Sequence, residues 1–328
     1  MKTKIIATIS LERSNILRLS AFKGCNLSCV FCFWGDNPPL EKIPFTKDEY
    51  AFILSTAIKS GYFPRHMLTG GEPLLLPDQL LQRIVSEVYS HKGKGMIYFT
   101  ICTNGINLAD KAAMLADSGM DNINVSLAET SELGYKAYTR SNYDISLVLQ
   151  GISEAAARGI KVKVDTAVLK KGNYGIYSYP RMLELYQLVK NAGATSLSLF
   201  PVTKTPFNTG TVGNIIVPVS KITSELVRDS RFIMTHSDGV DRFTDNSGFV
   251  VSFPYRKAVT QIKCTTDGCA EHCQGDQGSY IEASVFRFCH RIFPQHSNEV
   301  DIAEIVHRQD SAALTRLFRF SEEWKGHE

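Results

Sequence analysis

The chain has 328 residues, 44% of them hydrophobic, and a formal net charge of +3, which suits one large barrel-type domain or two ordinary domains. It contains no block of like charges, so we expect no nucleic-acid partner. No stretch reaches the about 18 apolar residues of a membrane span, and the N-terminal apolar run is too short for a signal peptide. We therefore expect a cytoplasmic protein with reduced thiols and no membrane partner.

Six segments have the short length, the apolar or β-branched content and the flanking turn residues of β-strands. In chain order they are residues 15–21, 66–70, 96–103, 121–127, 159–169 and 195–201. Helical patterns fall between them, and the first is opened by the capping box of Thr46 and Glu49 and ends near Gly61. The others, with apolar residues at 3.6-residue spacing, are residues 78–90, 108–118, 146–158 and 180–192.

The repeated strand–helix units predict a parallel sheet with right-handed crossovers. Six units are too few for a closed eight-stranded barrel, so the expected fold class is α/β, a partial (β/α)6 TIM-type barrel. We assign residues 1–202 to this core. Residues 203–250 are dense in turn formers and predict a connection with some strand or helix. With the cysteine-rich end they form a predicted C-terminal extension, residues 203–328.

Three cysteines, Cys25, Cys29 and Cys32, follow the first predicted strand in the spacing C-x3-C-x2-C. Three thiolates on one loop can bind three irons of a [4Fe–4S] cubane and leave the fourth iron open to a substrate or cofactor. Half of a zinc site is the alternative that this spacing leaves open, because zinc can take its remaining ligands from elsewhere in a chain.

The second motif is L-T-G-G-E-P-L, residues 68–74, which follows the second predicted strand. Its paired glycines allow a ligand to approach the backbone closely, and the carboxylate of Glu72 suits an ammonium group. For this motif alone, an ordinary β-turn is the alternative. Thr103 and Ser126 end the third and fourth predicted strands. Because chemistry gathers at the C-terminal ends of the strands in such barrels, we expect both motifs at one barrel mouth.

The cysteine triplet, with Phe31 before its last member, and the G-G-E-P motif together resemble the radical S-adenosylmethionine (SAM) superfamily, over roughly residues 14–202. The stretches L-R-L-S, T-N-G, N-V-S-L and V-K-V-D-T-A-V-L-K are similar to its GTP cyclase subfamily of molybdenum-cofactor biosynthesis. The resemblance implies reductive cleavage of SAM to a 5′-deoxyadenosyl radical, which abstracts hydrogen from a substrate. It also implies an electron donor such as a flavodoxin or a ferredoxin.

The resemblance further implies residue roles. Cys25, Cys29 and Cys32 would hold the SAM-binding [4Fe–4S] cluster. The other cofactor-binding residues would be Phe31, Gly70, Gly71, Glu72, Thr103, Ser126 and Phe200. Among them, Phe31 matches an adenine-contacting position, and Glu72 belongs to the part that holds the amino end of methionine. Arg18 and Lys163 match basic, substrate-contacting positions and are the predicted catalytic residues, with a solvated or packed side chain as the alternative.

Two departures from the subfamily count against GTP cyclase activity itself. Met67 stands where the subfamily has a GTP-binding arginine, and the chain ends in W-K-G-H-E without the subfamily's glycine pair. We therefore expect another small-molecule substrate, a nucleotide, nucleoside or sugar derivative, that undergoes rearrangement, epimerisation, dehydrogenation or C–C bond formation. Modification of a ribosomally made peptide is the alternative, although only about fourteen residues precede the first predicted strand. A metal-binding scaffold or sensor is the non-enzyme alternative.

Four further cysteines lie near the other end, Cys264, Cys269, Cys273 and Cys289. By the resemblance they would hold a second, auxiliary [4Fe–4S] cluster, and four thiolates would close it. Three ligands with one hydrogen-donating thiol, or a zinc site, are the alternatives. Tyr280, Glu282 and Arg287 lie between the last two cysteines, where we expect the substrate pocket to close. Cys102 stands alone in a predicted strand, and we expect it to be buried and inert.

Overall fold

The computed structural model describes residues 16–21, 24–32, 42–93, 98–202, 212–237, 239–254, 279–282, 284–287 and 299–326. Its strands are β1 Ile16–Ser20, β2 Arg65–Thr69, β3 Tyr98–Thr103, β4 Asn122–Ser126, β5 Lys161–Val168, β6 Ser196–Pro201, β7 Phe232–Ser237, β8 Val240–Asp245, β9 Val250–Pro254, β10 Ser279–Glu282, β11 Val285–Arg287 and β12 Glu299–Asp301. They form one sheet in the order β12-β11-β10-β1-β2-β3-β4-β5-β6-β9-β8-β7.

The centre of the sheet is parallel. Strands β1 to β6 pair in sequence order, and each lies within two residues of a predicted strand at either end. Strand β10 extends this parallel row beside β1, and β9 extends it beside β6. Antiparallel strands complete both edges. The described strands do not close into a ring, so the predicted partial TIM-type barrel is confirmed.

The helices are α1 Lys47–Ser60, α2 Asp78–Ser90, α3 Leu108–Asp117, α4 Glu132–Thr139, α5 Ile145–Ala157, α6 Tyr179–Asn191, α7 Ser220–Leu226, α8 Ala303–His307 and α9 Ser311–Gly326, with a 3₁₀ turn at Pro73–Leu75. The predicted capping box of Thr46 and Glu49 opens α1, and Gly61 ends it with a φ of 73°. Helix α4, the 3₁₀ turn and the last two helices are additions to the predicted elements. No helix in the described part of the chain is long and apolar enough to cross a membrane.

Residues 203–250 are more regular than the predicted connection. Helix α7, both strands of the β7–β8 hairpin and the first residue of β9 fall in this range. Strands that follow residue 202 therefore continue the sheet of the core. The division into residues 1–202 and 203–328 stays a prediction.

The two faces of the parallel sheet differ in chemistry because side chains alternate along each strand. On β5, Val162, Val164 and Val168 are fully buried in the hydrophobic core that the strands share with helices α1 to α6. Lys163 and Asp165 lie between them in sequence and are half-buried. We call the face opposite the helices the inner face. Polar residues lie on this face in β3, β4 and β5, so it is hydrophilic.

Candidate active site at the mouth of the sheet

The cysteine loop, residues 24–32, follows β1 and is bound to the C-terminal end of α4. Ser28 N donates to Thr139 O over 3.0 Å, and Val30 N donates to Tyr138 O over 2.9 Å. The ring of Phe31 stacks on the ring of Tyr138, with centroids 5.5 Å apart and planes 17° apart. Helix α4 therefore fixes the main chain on both sides of Cys29.

Helix α4 is itself fixed at its N-terminal end. Ser131 is the N-cap, and its side chain accepts a hydrogen bond from Gly134 N. The fully buried Glu129 accepts from Gly175 N over 2.7 Å and pairs with Arg181. A short eight-residue helix depends on such contacts, because isolated helices of this length are marginal in water. The sequence contains the Ser131 cap but not the tertiary contacts that stabilise this helix.

The loops after β1, β2 and β3 are joined by hydrogen bonds. Glu72 N donates to Gly24 O over 2.8 Å, which joins the G-G-E-P motif to the cysteine loop. Asn104 Nδ2 donates to Asn26 Oδ1 over 2.7 Å and lies 3.8 Å from Cys25 Sγ. The predicted convergence of the first three loops at one edge of the parallel sheet is therefore observed.

The Glu72 carboxylate is the centre of this junction. It accepts from Thr103 Oγ1 over 2.6 Å, from Asn104 N over 2.7 Å and from Leu74 N over 2.9 Å. The side chain is buried, and burial raises the pKa of Glu72 to about 6, against the opposing effect of these hydrogen bonds. No lysine, arginine or histidine of the described chain pairs with it. A buried carboxylate without a cation is costly, and a ligand ammonium group would offset that cost.

Burial acts on two of the three cysteine thiols, those of Cys25 and Cys29, in the same direction. It raises the pKa of Cys25 to about 11 and that of Cys29 well above its ordinary value. The charges of neighbouring cysteines raise both pKa values further, since Cys32 acts on each of them and Cys25 acts on Cys29. The three thiols therefore lie within electrostatic range of one another. Within the described ranges, no three Cys, His, Asp or Glu side chains converge as a single metal ion would require.

The residues around the thiols fit an iron–sulfur cluster by their chemistry. Three thiols on one loop supply the soft ligands that such clusters take. Tyr135, which is 1% exposed, has a hydroxyl without a hydrogen-bond partner among the described residues. Its pKa is raised by burial first and then by the charges of Cys29, Glu72 and Cys25. A buried donor thus lies beside the cysteines, where the sulfur atoms of a bound cluster could accept its hydrogen bond.

A second polar cluster lies on the inner face, across β3, β4 and β5. Lys163 Nζ lies 3.0 Å from Asp165 Oδ1. Asn124 Nδ2 donates to Asp165 Oδ2 over 3.0 Å, and Thr100 Oγ1 donates to Asn124 Oδ1 over 3.3 Å. Burial raises the pKa of Asp165 although Lys163 opposes this shift. Lys163 Nζ also lies 5.9 Å from the ring centroid of Phe200, so the lysine extends toward the C-terminal end of β6.

Cys102, which is predicted to be buried and inert, belongs to this second cluster of polar residues. It is half-buried, and its Sγ lies 3.9 Å from Asn124 Nδ2. Burial raises its pKa to about 12; the Asp165 charge adds to this shift, while Lys163 and Arg18 oppose it. The structure therefore brings the two predicted basic residues, Arg18 and Lys163, within electrostatic range of one thiol.

The remaining predicted residues are divided between the mouth, the inner face and the undescribed part of the chain. Gly70 adopts a φ of 114° directly after β2, a conformation that favours glycine. Ser126 is exposed at the end of β4 and lies in register with Asp165. Met67 lies in register with Arg18. The four late cysteines, Cys264, Cys269, Cys273 and Cys289, lie outside the described residues.

Part of the C-terminal region nevertheless joins the sheet, because β10 pairs with β1 and β11 pairs with β10. Tyr280, on β10, is the register partner of Arg18, on β1. Arg287, on β11, is in turn the register partner of Tyr280. Both residues are predicted to lie where the pocket closes, and that role stays a prediction.

Asp165, Asn124 and Tyr135 are not among the residues predicted from the sequence. The first had a visible signal, because Lys163 and Asp165 are two residues apart in V-K-V-D and so lie on one face of a strand. Asn124 requires the register between β4 and β5. Tyr135 requires the position of α4, which the sequence pattern did not predict.

Known proteins match both the sequence and the fold. A sequence model of the family described as "Radical SAM superfamily" matches residues 19–199. The chain is 33% identical over 188 residues to "GTP 3′,8-cyclase" of Bradyrhizobium diazoefficiens, covering 57% of this chain and 53% of that protein. It is 28% identical over 264 residues to "Probable GTP 3′,8-cyclase" of Methanopyrus kandleri, covering 78% of this chain and 80% of that protein. The matched part spans about half the length of several such relatives.

A solved structure shares the fold at low sequence identity. Streptococcus suis SuiB bound to S-adenosylmethionine superposes with a TM-score of 0.62 and 15% identity, covering 89% of this chain and 64% of that chain. The same protein bound to precursor peptide SuiA superposes with a TM-score of 0.61 and 14% identity, covering 89% of this chain and 65% of that chain.

Proposed function

This chain belongs to the radical SAM superfamily, and we propose that the mouth of its sheet binds a [4Fe–4S] cluster through Cys25, Cys29 and Cys32, with SAM beside it. It is an enzyme of the radical SAM class. The family implies both the cluster and SAM, whereas the individual ligands and contacts are proposals drawn from the site.

The observation that carries the proposal is the position and charge of Glu72. Its main-chain N–H donates to the cysteine loop and its buried carboxylate accepts from the loop after β3, and no cation of the described chain balances the carboxylate. A carboxylate has about four lone-pair sites, and three donors of the chain occupy Glu72. An ammonium group, such as the amino group of SAM, is the ligand chemistry that this arrangement lacks.

When bound, the cluster and SAM would supply an electron and a 5′-deoxyadenosyl radical that takes a hydrogen atom from the substrate. The chain's own residues bind and orient these groups. Glu72 would hold the methionine ammonium group, with Gly70 and Gly71 allowing close approach of the backbone. Phe31, held in place by Tyr138, would contact the adenine. Further SAM contacts are proposed for Thr103, Ser126 and Phe200.

For the substrate we propose a small molecule that enters against the inner face, where Lys163 and Arg18 contact it. Lys163 is already paired with Asp165, so this part of the site presents a donor and an acceptor side by side. A hydroxyl group can accept from the lysine and donate to the carboxylate, whereas a phosphate would meet the negative charge of Asp165. This chemistry favours a nucleoside or sugar derivative over a nucleotide bound through its phosphates at this pair.

A ribosomally made peptide is the second candidate substrate. It is favoured by one observation, the shared fold with SuiB, which binds a precursor peptide. At 14% identity that likeness concerns the fold and not the substrate. Assays of 5′-deoxyadenosine formation with each candidate substrate distinguish the two classes. Only the true substrate class should increase the rate of 5′-deoxyadenosine formation above that of enzyme with SAM alone.

We also propose an auxiliary [4Fe–4S] cluster on Cys264, Cys269, Cys273 and Cys289, a flavodoxin or ferredoxin as electron donor, and a cytoplasmic location, where thiols stay reduced.

The proposed function is tested by anaerobic reconstitution of the full chain, followed by iron and sulfide quantitation and electron paramagnetic resonance (EPR). A total near eight irons per chain supports two cubane clusters, and a total near four contradicts the auxiliary cluster. Addition of SAM should change the spectrum of the reduced cluster, because SAM binds the open iron. The proposal is contradicted if saturating SAM leaves the EPR spectrum of the cluster-loaded chain unchanged.

A further inference from the structure

Tyr135 carries a buried hydroxyl that the described chain does not satisfy. The residue is 1% exposed, and its Oη has no hydrogen-bond partner among the described residues. Leaving a buried hydroxyl unpaired is unfavourable, because the group gives up its hydrogen bonds to water. Tyr138, one turn further along α4, has the same side chain, but its hydroxyl accepts a hydrogen bond from Ala128 N over 3.3 Å. Tyr135 therefore differs from its neighbour in needing an acceptor that a bound group supplies.

The position of this hydroxyl is fixed by packing. The ring of Tyr135 meets the ring of Tyr138 edge-on, with centroids 5.7 Å apart and planes 82° apart. Tyr138 in turn stacks on Phe31 and accepts a main-chain hydrogen bond from Val30. Tyr135 and the cysteine loop thus pack against the same residue of α4.

The thiols and the carboxylate of the mouth lie within electrostatic range of this hydroxyl. After burial, the largest effect on the pKa of Tyr135 comes from the charge of Cys29, followed by the charges of Glu72 and Cys25. Glu72 has three donors from its own chain. Cys29 Sγ does not accept from this hydroxyl in the described structure, so the acceptor that fits is a sulfur atom that a bound cluster brings to the cysteine loop.

We propose that the Tyr135 hydroxyl donates a hydrogen bond to a sulfur atom of the cluster held by the cysteine loop and thereby raises the reduction potential of the cluster. The inference rests on the proposed function, since it requires the cluster on Cys29. Hydrogen bonds to the sulfurs are among the factors that set the potential of such clusters. Reduction adds one electron to the cluster, so a donor stabilises the reduced form more than the oxidised form.

Tyr135 is on this account a positioning and tuning residue and does not touch the substrate. Its effect would be to make the cluster easier to reduce by a biological one-electron donor. A tyrosine suits this role because its hydroxyl donates without adding a positive charge, and its pKa is raised, so the proton stays on the oxygen.

The test is the midpoint potential of the cluster in the reconstituted full chain, measured without SAM by EPR-monitored redox titration. The variant Tyr135→Phe removes one oxygen atom and keeps the ring. We expect the equilibrium constant for one-electron reduction to fall about tenfold, which corresponds to a potential about 59 mV more negative. The matched control is Tyr50→Phe, which removes an equally buried hydroxyl that donates to Ala21 O over 3.3 Å. The control should leave the potential unchanged.

Two outcomes of this titration overturn the inference. Equal potentials in wild type and Tyr135→Phe would show that the hydroxyl does not reach the cluster. A weaker SAM affinity with an unchanged potential would show that it contacts SAM instead. Tyr135→Phe should fold like wild type, because it keeps the packed ring and removes only a buried hydroxyl that the described chain leaves unpaired. A chain that assembles no cluster at all would refute the proposed function, whereas a cluster insensitive to residue 135 would refute this inference alone.

Discussion

Two buried carboxylates, Glu72 at the mouth of the sheet and Asp165 on its inner face, differ in how their charge is balanced. Glu72 accepts three hydrogen bonds from neutral donors and has no cation among the described residues. Asp165 accepts from Asn124 and pairs with Lys163. Burial raises both pKa values, but only Asp165 has a cation to oppose the rise. The mouth is thus prepared for a cationic group, and the inner face for a neutral, hydrogen-bonding one.

The largest effect is expected from Cys29→Ala, which removes a ligand that the mouth cannot replace. The variant should lose the SAM-binding cluster, about four irons per chain. The matched control is Cys102→Ser, because Cys102 lies on the inner face beside Asn124 and should not bind the cluster. Iron and sulfide quantitation after reconstitution measures both. Equal iron in Cys29→Ala and wild type would contradict the ligand assignment.

A smaller but still large effect is expected from Glu72→Gln, which removes the charge that the mouth offers to an ammonium group. A hydrogen bond to a charged group contributes about 1.5–3 kcal/mol, so SAM affinity at pH 7 should fall about 10- to 100-fold. Equilibrium dialysis of the cluster-loaded protein measures it. Glu154→Gln, on the outer helix α5, is the matched control and should bind SAM like wild type.

The pH dependence of SAM affinity provides a second test of the uncompensated charge of Glu72. Because burial raises the pKa of Glu72 to about 6, its carboxylate becomes protonated as the pH falls through that value. SAM affinity of the wild type should therefore decrease about tenfold between pH 7 and pH 5, and that of Glu72→Gln should stay flat. The raised pKa also means that, without SAM, Glu72 favours folding at low pH and that this stabilisation is lost as the pH rises through 6. Parallel pH profiles of the two proteins would refute the role of Glu72.

The variant Lys163→Met would make the inner face resemble the mouth, where the buried carboxylate of Glu72 has no cationic partner among the described residues. It leaves Asp165 buried without a cation, so the free energy of unfolding at pH 7 should fall by about 1–3 kcal/mol, less than for a fully buried pair because Lys163 is partly exposed. The loss should shrink as the pH falls and Asp165 takes up a proton. The double variant Lys163→Met/Asp165→Asn removes the charge and should recover most of the stability. Urea unfolding of wild type and both variants measures the differences, and a double variant less stable than Lys163→Met would contradict the account.

The mouth could be predicted further from the sequence than the inner face. Its residues occur in short motifs directly after strands, and parallel strands bring their C-terminal ends to one edge, so Cys25, Glu72 and Thr103 could be grouped without coordinates. The Thr100–Asn124–Asp165 chain depends on the register of three strands, which a single sequence does not specify. The donors of Glu72 were also missed, because two of them are backbone N–H groups.

The edges of the sheet were least predictable. Strand β10 lies beside β1 although more than 250 residues separate them, and local patterns carry no signal for such pairing. Among residues 203–250, the turn formers Asp245 to Gly248 serve the described turn between β8 and β9. The same composition is typical of an irregular connection, so the hairpin was not predicted.

The central claim, that the mouth of the sheet cleaves SAM, is tested most directly by 5′-deoxyadenosine formation. Wild type, Cys29→Ala and Cys102→Ser are reconstituted anaerobically, reduced chemically and incubated with SAM and candidate substrates. We expect 5′-deoxyadenosine from wild type and from Cys102→Ser, and none above background from Cys29→Ala. Equal product from Cys29→Ala, or no product from a wild type that carries its cluster, would contradict the claim.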